Sequence, residues 1–137
     1  MKTRKQVALW SLLVLLILWT LPEVSEAQQW TTANQVTVSW DAVTVTSGTV
    51  SYKTYYRPAA GGAETYAGTV TSTQDTITLT IEGRYFLGVR SVRNVDGLEL
   101  ESSRISWSDN PADCQGGVTF GVQYYTLPAN VGGIRIR

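Results

Sequence analysis

The chain has 137 residues, with 11 Lys plus Arg balancing 11 Asp plus Glu, one cysteine and no histidine. A net charge of zero gives no electrostatic reason to seek nucleic acid or anionic lipid. The missing histidine removes the usual general base and transition-metal ligand, and one cysteine cannot form an internal disulfide.

Residues 1–27 follow the three-part pattern of a secretory signal peptide. Lys2, Arg4 and Lys5 form a basic start, Val7 to Leu21 is apolar, Pro22 ends the run, and Ser25 and Ala27 are the small residues that a signal peptidase reads. The apolar run is shorter than the roughly 20 residues of a membrane span, which favours cleavage over an uncleaved anchor. Cleavage after Ala27 leaves 137 − 27 = 110 residues, enough for one core, with 8 Lys plus Arg, 9 Asp plus Glu and a net charge of −1. The expected product is secreted (periplasmic, cell-surface or extracellular), and the short basic segment looks bacterial.

After a polar lead, Gln28 to Asn34, residues Val36, Val38 and Trp40 share one face, and Ser47-Gly48 breaks the chain. Val50, Tyr52, Thr54 and Tyr56 alternate next, ended by Pro58 and Gly61-Gly62. Thr65 to Val70 is a Thr-rich strand candidate, and Ile77, Leu79 and Ile81 alternate with threonines. Glu82-Gly83 leads into the longest run, where Tyr85, Leu87, Val89 and Ser91 point one way and Arg84, Phe86, Gly88 and Arg90 the other. Asn94-Val95-Asp96-Gly97 is a hairpin signal, and Glu99 to Trp107 can return as a strand. The sense of that strand is open, because Leu98/Leu100 and Ile105/Trp107 compete for the core. Period two throughout predicts an all-β fold with Trp40, Tyr52, Leu79, Tyr85 and Val89 in its core.

Trp40, the Tyr52–Tyr56 run, and Leu79 leading through Gly83 to Tyr85–Val92 and Asp96-Gly97 resemble a fibronectin type III domain, an immunoglobulin-like β-sandwich. The resemblance covers about residues 30–108. It implies that Trp40 centres the core and that the Tyr85 hydroxyl bonds back to the backbone near the preceding turn. Fold alone says little about function, since such modules serve adhesion, spacing and recognition alike. The expected organisation is a sandwich over 28–108 and a C-terminal β extension over 109–137. Two features depart from the family: Gln28 to Asn34 leaves the first strand short or missing, and the chain continues beyond Ser108. Within the extension Val118, Phe120, Val122 and Tyr124 alternate, and Val131 to Arg137 resembles an opening strand. That last segment can complete the edge beside Val36–Trp40 within one chain or between chains, form a local hairpin with 118–126, or stay unpaired.

No residues read as catalytic, and no cofactor is implied. Glu99 and Glu101 share a strand face, but a glycosidase pair also needs a cleft and pKa values driven apart. Asp109, Asn110 and Asp113 carry calcium-type oxygens without the spacing of a dedicated loop. Gly61-Gly62 precedes no helix and reads as a flexible loop rather than a phosphate cradle. Cys114 reads as a partly buried loop thiol or an intermolecular cross-link. The candidate binding face is the outward set Lys53, Tyr55, Arg57, Arg84, Phe86, Arg90 and Trp107, whose Arg–aromatic mixture suits recognition and equally suits a stabilising ladder. The expected function is non-enzymatic: protein–protein contact or self-assembly at the cell surface. The alternative is carbohydrate or ligand binding on the same face.

Overall fold

The alternation along Val36–Trp40, Val50–Tyr56 and Tyr85–Ser91 appears as strands in two facing sheets, in a computed structural model that describes residues 28–129. The expected signal peptide and the strand expected at Val131–Arg137 lie outside the described residues. The strands are β1 (Gln29–Thr32), β2 (Gln35–Ser39), β3 (Thr49–Pro58), β4 (Thr65–Val70), β5 (Gln74–Thr78), β6 (Gly83–Val95), β7 (Leu98–Glu101), β8 (Ser106–Trp107) and β9 (Phe120–Tyr124). The larger sheet runs β1-β9-β6-β3-β4, with β7 and β8 also on β6, and the smaller is the antiparallel pair β2-β5. No described helix is long and apolar enough to cross a membrane.

Turn chemistry sets the β6–β7 hairpin. Asp96 and Gly97 both take positive φ, 53° and 86°, between the paired Val95 and Leu98, as a two-residue turn of matching twist requires. The β3–β6 pairing sets Tyr52, Thr54 and Tyr56 opposite Ser91, Val89 and Leu87 on the inner face. Val38, Ile77 and Leu79 pack there against Tyr85, Leu87 and Val122. The Tyr85 hydroxyl donates to Ile81 O at 2.9 Å, the contact the family resemblance implied. A second tie joins the sheets: the fully buried Thr54 hydroxyl donates to Asp75 Oδ2 at 2.6 Å.

Several expectations need correction. Tyr52, Leu79 and Tyr85 are buried, but Trp40 and Val89 are only half-buried, because both line an open groove at the side of the core. Glu99 to Trp107 is not one strand: the run breaks after Glu101 and resumes at Ser106. Ile105 is buried while Leu98 and Leu100 are exposed, since the five-residue β2 and β5 stop short of the far end of the 13-residue β6. Nor does the sheet divide at residue 108. β9 lies between β1 and β6, and Val122 has no exposed surface. Ser108 stitches the join: its Oγ accepts from Leu87 N–H at 3.0 Å, and its carbonyl accepts from Phe120 N–H at 2.9 Å. β1 is short, as expected, yet it pairs in parallel with β9 rather than beside β2.

Candidate functional site

The outer face of the large sheet is built on two glycines that give tryptophans room. Gly88 faces Trp107 across β6–β8, and Gly121 faces Trp30 across β9–β1. A Cβ on Gly88 would sit 2.8 Å from the Trp107 ring, and one on Gly121 would sit 2.6 Å from the Trp30 ring. Each indole therefore lies directly on a neighbouring strand's backbone.

Arginines cover these rings. The Arg57 guanidinium stands 4.3 Å over Trp107, and that of Arg84 stands 5.0 Å over Trp30. Trp30 packs against Phe86 at 5.7 Å between centroids, and Phe86 pairs across the strands with Arg57. Contact thus passes from Arg84 through Trp30, Phe86 and Arg57 to Trp107. Asp109 fixes Arg57, one guanidinium nitrogen lying 2.8 and 3.0 Å from its carboxylate oxygens. Tyr55 meets the more exposed Tyr66 edge-on at 5.8 Å.

The basic end is paired as well. Lys53 donates to Glu101 at 2.6 Å and lies 3.9 Å from Glu99, and Arg90 forms an ion pair with Glu101 at 2.9 Å. The Glu101 hydrogen bond raises the Lys53 pKa above the ordinary lysine value, and Lys53 lowers that of Glu101. The two glutamates thus serve the basic face.

All seven residues of the expected binding face carry contacts on this surface. The structure adds Trp30, Tyr66 and Asp109. Trp30 stood in a lead read as polar; its one sequence signal was a lone indole, with nothing to announce its pairing with Gly121 ninety-one positions on. Of the calcium-type residues, Asp109 holds Arg57. Asp113 takes a two-pronged contact from Arg104, plus the Trp107 N–H at 3.2 Å and Asn110 Nδ2 at 3.1 Å. The Arg104 bonds hold the Asp113 carboxyl below its ordinary pKa. Among the described residues no group of three acidic, histidine or cysteine side chains is placed to hold a metal. Cys114 is half-buried with Sγ 3.3 Å from Ser108 O, and burial raises its thiol pKa.

On the inner side, a groove of about 640 Å³ lies between β2 and the large sheet. Thr37, Val38, Trp40, Leu87, Val89 and Phe120 line it. The Trp40 indole N–H is buried and finds no acceptor among the described residues. No protein-family model, curated protein or solved structure matches the chain.

Proposed function

We propose that the chain is a secreted, non-enzymatic β-sandwich module of the fibronectin type III kind, which acts through protein–protein contact by its outer face. One observation carries this reading: the Arg–aromatic surface from Arg84 to Trp107 is fixed before any partner arrives. Arg57, stacked on Trp107 and held by Asp109, loses little freedom on binding, and Trp, Tyr and Arg are the residues on which interface energy concentrates. The fold reading draws on the Tyr85 corner and on Trp40 packed against Tyr52 at 5.2 Å. A protein partner is preferred to a sugar: guanidinium groups cover both outer indoles, and Tyr55 and Tyr66 meet at 65°, offering no flat platform.

The test uses Tyr55→Ala with Tyr66→Ala, which strips exposed aromatic area without touching the Arg57–Trp107 stack. Capture of partners from the secreting cell should fall at least about tenfold, a loss of roughly 1.4 kcal/mol, with the thermal midpoint nearly unchanged. Equal capture by parent and variant would refute the face as a recognition surface. Binding to a glycan panel, lost in the same variant, would move the reading to carbohydrate.

A further inference from the structure

β2 pairs along one of its two sides only, among the described residues. Leu79 N–H bonds Asn34 O at 2.7 Å and Trp40 N–H bonds Thr73 O at 3.0 Å, so alternate residues from Asn34 to Trp40 turn their backbone groups to β5. The N–H and C=O groups of Gln35, Thr37 and Ser39 point the other way, and no described strand meets them. Natural edges are ordinarily blunted by charge, proline or a bulge. β2 has none of these: Gln35 to Trp40 is uncharged and proline-free, and its register on β5 is unbroken. Beside this edge lies the groove, lined by Leu87 and Val89 of β6 and Phe120 of β9.

We propose that this edge is a strand-addition site for a partner protein. The partner inserts a short extended segment with apolar side chains at alternate positions, a basic residue at the end beside Asp41, and no acidic residue. The edge selects a polypeptide: outward N–H and C=O groups at two-residue spacing match the repeat of an extended backbone. The five residues of β2 span about 17 Å, which sets the length of the segment. On the added strand, residues opposite Val36 and Val38 face the groove and meet Leu87, Val89 and Phe120, which selects apolar side chains there. Charge selects the ends. The groove lining includes Asp41 and Asp113 and no Lys or Arg. Arg104 holds Asp113, but Asp41 is exposed and forms no ion pair among the described residues. An acidic segment is therefore repelled and a basic end attracted. Ala112, Cys114 and Val118 line the groove as well, so the space suits a single strand rather than the edge of a second copy. The groove opens on the inner side of the large sheet, so this site stands independently of the outer-face reading.

The probe is a blocked peptide of alternating valine and threonine with a lysine at each end, added to the full chain. Amide hydrogen exchange should find Thr37 and Ser39 open in the protein alone and at least about tenfold slower at saturating peptide. The Trp40 amide, bonded to Thr73 O, should not change. Two N-methylated versions, one methylated at the valines and one at the threonines, separate backbone pairing from side-chain burial, because only one set of amides faces β2. One version should lose at least about tenfold in affinity while the other binds like the parent peptide. Aspartate in place of both lysines should also weaken binding at least about tenfold. Protection of Thr37 and Ser39 before any peptide is added overturns the proposal, since the edge is then already held. So does an absence of binding at millimolar peptide, equal affinity of the two N-methylated versions, or unchanged affinity of the aspartate-ended peptide.

Discussion

Replacing Gly88 by alanine adds one methyl group at a crowded point of the outer face. Its Cβ would lie 2.7 Å from Ile105 Cγ2 and 2.8 Å from two Trp107 ring atoms, where ordinary contact begins near 3.4 Å. The neighbours must retreat by about 0.6–0.7 Å, the difference between those distances. Ile105 is 9% exposed and Trp107 lies beneath Arg57, which Asp109 holds, so neither yields alone. Overpacking of this kind costs about 1–3 kcal/mol, or a midpoint fall of roughly 4–8 °C per kcal/mol in a domain of this size. Gly68→Ala is the matched control. Gly68 has ordinary backbone geometry, and its Cβ would find nothing closer than 3.8 Å, so the same methyl should be neutral or stabilise by up to about 1 kcal/mol. Thermal unfolding followed by circular dichroism reads both variants. An unchanged midpoint for Gly88→Ala, or an equal fall in both, would show that Trp107 does not sit on the β6 backbone.

Tyr85→Phe removes the hydrogen bond to Ile81 O and should cost about 0.5–1.5 kcal/mol by chemical denaturation; no cost would mean that the corner is ornamental. Val122→Ala should cost about 1–3 kcal/mol, because Val122 is fully enclosed between β6 and β1; a surface-like change would show that β9 is not part of the core. Asp113 supplies an acid-sensitive contact. Its folded pKa is lowered, so its stabilisation is fully present above the ordinary carboxylate value of about 3.9 and is lost as pH falls through the lower folded value. Asp113→Asn should therefore lower the midpoint near neutral pH and flatten its decline below about pH 4; parallel acid profiles in parent and variant would refute the Arg104 contact as the cause.

The sequence alone determined most of the strands, because these are encoded locally; β1, in a lead read as polar, and the break between β7 and β8 were not. Period two along Tyr85–Ser91 and Val50–Tyr56 assigns side chains to faces without reference to any partner, and Asn94–Gly97 carries its own turn. The outward position of Lys53, Tyr55, Arg57, Arg84, Phe86 and Arg90 followed from the same rule. Partner choice was not local, and tertiary structure decided it. Nothing near Trp30 says that it lies on Gly121, nothing near Ser108 says that it joins β6 to β9, and nothing near Asp109 says that it holds Arg57. Leu98 and Leu100 show the limit from the other side: their alternation is that of a core strand, yet they are exposed because the opposing sheet is too short to cover them. Burial depends on what another strand places opposite, and that register is set by packing across the whole fold.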